Sequence, residues 1–231
     1  LQLLSEYGAD LDGVDQHGWT PLFYSVYEWN DKCLEFLSTK NVNFKHRDTS
    51  GHTALHVACS KAQRTVLSGG FPLRAIEMLV AQDRSLLDQP DGVFGYTPLH
   101  MLIAHLGDKS PKGVIEGVAK LIFLEANLEI RDKKGFTPLL LAIDVANNAP
   151  QVSELEKVDL LKTIAQQLFI NGADTSAVRD SAAIAWKNLL QVRPSPRRAR
   201  EDEAEDEPLP HSASKRKRSG AGGAQSAPTE R

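Results

Sequence analysis

The chain has 231 residues, a formal charge of −3 and 41% apolar side chains, the balance of a folded soluble protein and not of a collagen-like or wholly disordered one. No apolar run approaches the length of a membrane span. Its two cysteines, Cys33 and Cys59, are too few for a disulfide framework; both fall on apolar helical positions and are expected to be buried thiols of a reducing compartment.

Leu3-Leu4 followed by Gly8-Ala9-Asp10-Leu11 reads as the end of a helix and its exit, with Gly8 suited to the left-handed position past a helix C-terminus. Residues 1–14 are thus expected to be part of a unit, under-covered on one side, with further chain upstream of Leu1. Gly18-Trp19-Thr20-Pro21-Leu22-Phe23 then opens the first complete unit, and close copies of it return. They are Gly51-His52-Thr53-Ala54-Leu55-His56, Gly95-Tyr96-Thr97-Pro98-Leu99-His100 and Gly135-Phe136-Thr137-Pro138-Leu139-Leu140. Their threonines lie 33, 44 and 40 residues apart. In each copy the glycine permits a tight turn, the threonine oxygen can cap a helix, proline suits the first helical position, and leucine starts the buried face.

Complete units are read at 15–47, 48–91, 92–131 and 132–179, with a degenerate closing unit at 180–192 that includes Trp186, Leu189 and Leu190. The first unit predicts helices over Pro21 to about Tyr27 and Asp31 to about Ser38; the second predicts Leu55–Ala58 and Pro72–Ala81. Gly113–Leu124 carries Val114, Val118, Leu121 and Ile122 at helical spacing. Ser153 to Ile170 is a lengthened second helix, with a Ser153/Glu156 capping box and a Leu161, Ile164, Leu168 stripe. Three insertions, near Lys61–Gly70, Gly107–Gly113 and Asn147–Pro150, each join a first helix to a second. They are read as tolerated lengthenings of loops, with a second contact surface as the other reading.

From Arg193 the composition changes. Residues 193–231 hold one leucine as their only large apolar side chain and are expected to be a disordered, charged tail. The tail counts 9 basic and 7 acidic residues, leaving the first 192 residues at −5. Lys215-Arg216-Lys217-Arg218 is a candidate nuclear-localisation signal, a solvated charge run being the alternative. Ser195-Pro196-Arg197-Arg198 is a weak match to a proline-directed phosphorylation site.

No phosphate-cradling glycine loop, metal-type cysteine spacing or paired catalytic carboxylates is present, so the chain is expected not to be an enzyme and to use neither cofactor nor metal. His52 precedes the helix cap Thr53 and does not share a helix face with His56.

The recurring Thr-Pro-Leu-His core resembles the ankyrin-repeat family over residues 1 to about 190. The resemblance implies an all-α solenoid of stacked antiparallel helix pairs with projecting hairpin loops. It also implies that His56 and His100 tie neighbouring loops by hydrogen bonds, with Phe23 and Leu140 substituting packing. The implied function is protein binding on a concave face made by hairpin tips and first helices, with no direct nucleic-acid binding, by a monomer that is intracellular, nuclear or cytoplasmic. The expected contact residues are Trp19, His52, Tyr96 and Phe136 at the hairpin tips, Phe94 beside them, and Tyr27 and His105, with Ser60 and Asp144, near the first-helix ends. Two alternatives stay open: the regulatory segment of a larger enzyme (a ligase or kinase) whose catalytic part lies upstream, and a nuclear transcription or signalling regulator.

Overall fold

The computed structural model describes residues 2–61, 71–105, 111–147 and 155–176. All of them lie in the first of two units into which the chain divides, Leu1–Val192. Most of the three insertions, the Ser153/Glu156 box, the 180–192 unit, and the tail with Ser195 and Lys215–Arg218 lie outside the described residues.

Among the described residues the regular structure is helical throughout. A short α1 (Gln2–Glu6) precedes four helix pairs: α2 (Pro21–Tyr27) with α3 (Asp31–Ser38), α4 (Ala54–Lys61) with α5 (Phe71–Gln82), α6 (Pro98–Ala104) with α7 (Pro111–Phe123), and α8 (Pro138–Asn147) with α9 (Leu155–Ile170). First helices pack in series, α2 on α4, α4 on α6 and α6 on α8; second helices do the same through α3, α5, α7 and α9. The fold is therefore an all-α solenoid in which each pair buries its apolar side against the next.

The core follows the motif. Leu22, Leu55, Leu99 and Leu139 are fully buried or nearly so, as are Leu34, Leu79, Leu121 and Leu168 on the second helices. In the second helices the apolar residues recur at three- and four-residue spacing and face one side, as Leu34 and Leu37 do on α3. The first helices are sandwiched instead. On α4 every residue from Ala54 to Cys59 is buried, including His56. Cys59 is enclosed, and burial pushes its thiol well above the usual range, whereas Cys33, expected to be buried as well, is only half-buried, because it borders an open hollow lined by Pro21, Tyr24, Ser25, Glu28 and Asn30. Nothing of α1 is buried, and Leu3 and Leu4 are exposed.

Two local features depart from expectation. A 3-10 helix, Arg84–Asp88, follows α5 and buries Leu86 and Leu87; its start is fixed by the Asp83 carboxylate, which accepts the Ser85 N–H. Thr97 caps α6 from its side chain and Thr137 accepts the Leu140 N–H at 3.3 Å, but Thr20 makes no such bond. The Thr20 hydroxyl is buried without a partner among the described residues. At the corresponding position of the second and third units a histidine ring anchors the threonine hydroxyl, at 2.9 Å in the Thr53–His56 pair and 2.8 Å in the Thr97–His100 pair; Phe23 offers no such group.

Candidate functional site

Each hairpin loop is built on one aspartate. Asp15, Asp48 and Asp132 each accept, through Oδ1, the N–H groups two and four residues on, at 2.8–2.9 Å. Their own N–H donates to the carbonyl of Trp19, His52 or Phe136, which closes the turn. The third hairpin is one residue longer, and Asp91 holds it by accepting three N–H groups, from Val93, Phe94 and Gly95, at 2.7–2.9 Å. The extra residue pushes Val93 and Phe94 outward, so that both are about half exposed.

Neighbouring hairpins are tied together. Thr49 N–H donates to the His17 carbonyl, Gly92 N–H to the Ser50 carbonyl and Lys133 N–H to the Phe94 carbonyl. The second and third hairpins touch backbone to backbone: a Cβ on Gly51, at φ +77°, would stand 2.5 Å from the Gly92 nitrogen. His56 Nδ1 accepts the Thr53 N–H at 3.1 Å, which makes Nε2 the protonated nitrogen that donates to the Tyr96 carbonyl at 2.9 Å. His100 spans Thr97 and the Phe136 carbonyl in the same way. The two histidines are thus the loop ties that the resemblance implied. Burial holds the His56 imidazole down to about 4, with the Tyr96 bond acting against it, and lowers His100 as well. At the first junction Phe23 cannot make the tie, and it is made from the other side: His46 Nε2 bonds the Gly18 carbonyl at 2.8 Å, its ring edge-on to Phe23.

The expected tip residues are neither free nor equivalent. Trp19 is partly buried; its indole N–H donates to Asp48 Oδ2 at 3.2 Å, and its ring meets Phe23, Tyr24 and Tyr27 at 5.1–6.0 Å between centroids. His52 stands between two carboxylates, Nδ1 3.4 Å from Asp48 Oδ2 and Nε2 3.9 Å from Asp91 Oδ2. Although His52 lies before the helix, its ring comes within 5.8 Å of His56. Tyr96 stacks on His100 and under Phe94. Burial, then the charges of Asp132, Asp91 and Asp144, raise its phenol. Among the described residues the Trp19–Asp48 bond has no counterpart further along: Asp91 Oδ2 and Asp132 Oδ2 are buried there without hydrogen-bond partners. In the fourth hairpin Phe136 is half-buried and packs on the core.

Two hollows lie where hairpins meet first helices. One, of about 350 Å³, is lined by His52 and the Val93–Phe94 projection on the hairpin side, and by Val57, Ser60, Lys61, Met101 and His105 on the helix side, with His56 behind. The other, of about 490 Å³, is lined by Trp19, Tyr24, Tyr27, Asp48 and their hairpin neighbours, and the two share His52. Lys61 belongs to the first hollow and sets its ammonium 3.8 Å over the Tyr27 ring of the second. Of the expected contacts, Trp19, Tyr27, His52, Phe94 and His105 are therefore brought together along one groove, whereas Tyr96 and Phe136 line neither hollow. His105 is exposed at the end of α6, its Nδ1–H donating to the Met101 carbonyl at 3.3 Å. Tyr24 was not expected here; it is 44% exposed and donates its hydroxyl to Asp15 Oδ2 at 2.7 Å. The Trp19 N–H, and after it that bond, hold the Asp15 carboxyl below its usual range.

The family described as "Ankyrin repeats (3 copies)" matches residues 1–69. Over 112 residues the chain is 32% identical to Inversin of Gallus gallus, an alignment that takes in 48% of this chain and 9% of that protein. It is 29% identical over 128 residues to Rabankyrin-5 of Mus musculus, 49% of this chain and 11% of the relative. Across 38 residues it is 53% identical to Ankyrin repeat protein nuc-2 of Neurospora crassa, 16% of this chain and 4% of that one. The chain thus spans about a tenth or less of the length of these relatives. Among solved structures, an ankyrin repeat domain from Acinetobacter baumannii AYE superposes with a TM-score of 0.58 at 22% identity, covering 75% of this chain and 74% of that one, a likeness of fold.

Proposed function

We propose that this chain, whose residues 1–69 match ankyrin repeats and whose fold is like that of an ankyrin repeat domain, is a protein-interaction module whose partner docks where the hairpins meet the first helices. The observation that supports the reading most is the pair of contiguous hollows joined at His52, with exposed rings of Tyr24, Tyr27 and Phe94 around them. Exposed aromatic rows of this kind concentrate binding energy. The opposite side, formed by second helices, offers instead ion pairs made between neighbouring repeats. Arg74 meets Asp31 and Glu35, and Lys120 meets Glu77. Such exposed pairs contribute little and satisfy themselves.

Site-specific photo-crosslinking tests the reading. A crosslinker at Tyr27 or Phe94 is expected to yield protein adducts in cells, and one at Glu35 or Glu77 is not. Adducts from the second-helix positions alone, or equally from both sides, would overturn it. The Lys215–Arg218 run supports a nuclear address within the same proposal. Replacing its four residues by alanine is expected to shift a fluorescent fusion out of the nucleus, and an unchanged distribution rejects that part alone.

A further inference from the structure

Within that proposed face the first hollow has a chemistry of its own. Its floor is apolar, Val57 from α4 and Met101 from α6, both buried. One wall is the Val93–Phe94 projection, present because the third hairpin is a residue longer than the other three. That wall is built and not merely exposed. Asp91 fixes three of its N–H groups, Gly92 donates to the second hairpin, and Lys133 Nζ bonds the Gly92 and Val93 carbonyls from the fourth. A rigid apolar wall over an apolar floor favours a bulky apolar side chain at low ordering cost.

The rim carries the charge. Among the described residues lining the hollow, the titratable ones are His52, His56, Lys61 and His105, and none is a carboxylate. Asp48 and Asp91 do not line it; they stand beside His52, Asp48 Oδ2 3.4 Å from its Nδ1 and Asp91 Oδ2 3.9 Å from its Nε2. His56 is buried and committed to the Tyr96 carbonyl. On the helix side Lys61 rests on the Tyr27 ring, a contact that steadies the ammonium at the rim without neutralising it.

Resting on the docking face proposed above, we infer that this hollow takes a bulky apolar side chain flanked by a carboxylate, presented by an acidic segment of a partner protein. The apolar side chain sits between Phe94 and the Val57–Met101 floor, and the carboxylate pairs with Lys61.

Panning the full 231-residue chain against a display library of random dodecapeptides tests this. The expected outcome is enrichment of peptides with a Phe, Leu or Trp beside Asp or Glu. An enriched peptide, synthesised and titrated, is expected to lose about tenfold or more in affinity on Phe94→Ala and on Lys61→Glu. Exchanging the peptide acid for lysine should recover binding to the Lys61→Glu variant, while Glu77→Lys on α5 leaves it unchanged. Thermal midpoints confirm that each variant is folded, and the Lys61 exchange decides the matter if Phe94→Ala is not. Enrichment of basic or uncharged peptides, or none at all, overturns the inference. Acidic-apolar peptides sensitive to Tyr27→Ala but not to Phe94→Ala or Lys61→Glu overturn it while leaving the docking face standing. Peptides indifferent to all three changes overturn both.

Discussion

His56 is the residue on which a pH dependence can be argued with its sign. Its two ring nitrogens are both committed, Nδ1 accepting from Thr53 and Nε2 donating to Tyr96, so a second proton would have to point at a donor. Folding lowers the imidazole to about 4, chiefly by burial, from an ordinary value of 6.5. Between those values the unfolded chain binds the proton and the folded chain does not, so stability is full above 6.5 and is lost as pH falls towards 4. The full loss is roughly 3 kcal/mol, with His100 contributing in the same direction. Urea midpoints at several pH values should fall through this window, and a His56→Gln variant should show a distinctly shallower fall. The carboxylates of Asp15, Asp83 and Asp174 are held below their usual range by hydrogen bonds and lose their contribution only in more acidic solution. Gly51 supports a second prediction at this scale. Alanine there meets both a left-handed backbone and the Gly92 nitrogen at 2.5 Å, whereas at Gly135, with φ +86°, nothing lies within 4 Å of the added methyl. Gly135→Ala should cost about 1–2 kcal/mol from backbone conformation, and Gly51→Ala distinctly more, measured by denaturant unfolding.

At the scale of elements, the hairpin is a loop folded around a carboxylate. Removing Asp91 leaves three N–H groups without their acceptor, so Asp91→Ala should cost ~2–4 kcal/mol by the penalty for unmet hydrogen bonds. Asp91→Asn keeps an acceptor oxygen and removes a carboxylate whose Oδ2 is unpartnered, so it should retain most of that stability, as denaturant titration of the two variants will show. How far these elements are legible in the sequence depends on the range of the interactions. The helices α2 and α3 are read to their ends, because proline at the first position and the spacing of Leu34 and Leu37 are local signals. The ties of His56 and His100 follow from a motif that repeats. Nothing within the motif indicates that His46 supplies the missing bond where Phe23 replaces a histidine, since its acceptor, Gly18, belongs to the previous hairpin. The 3-10 helix after α5 is hidden for a different reason: five residues with two leucines carry too little periodicity to be read. Of the groove, Trp19 is legible as an aromatic ring at a repeated tip position, although Tyr96 and Phe136 at the same position line neither hollow. Tyr24 is not legible, because its place beside Trp19 depends on the Asp15 bond.

For the solenoid taken whole, the consequence of packing in series is that a core defect should be felt according to where it falls. Leu22 on α2 and Leu99 on α6 are the same residue of the same motif and are both buried, so truncation to alanine removes a similar apolar volume from each. Either change should cost about 2–5 kcal/mol locally. Their surroundings differ: α2 packs on α3 and α4, while α6 lies between α4 and α8 and also covers α7. In a stack coupled through nearest neighbours, weakening an end unit lets that unit open alone, whereas weakening an inner one uncouples the units on both sides. Leu22→Ala should therefore raise amide hydrogen exchange in α2 and α3 and leave α8 close to its original protection. Leu99→Ala should raise exchange in α4 and α8 together and broaden or split the denaturant transition. Exchange read by mass spectrometry on the folded chain separates this behaviour from a single cooperative core, in which both variants would lower protection uniformly from α2 to α9. A uniform loss in the Leu22→Ala variant would show that coupling between adjacent pairs exceeds the stability of any one of them, and the independent opening of the first pair would have to be given up.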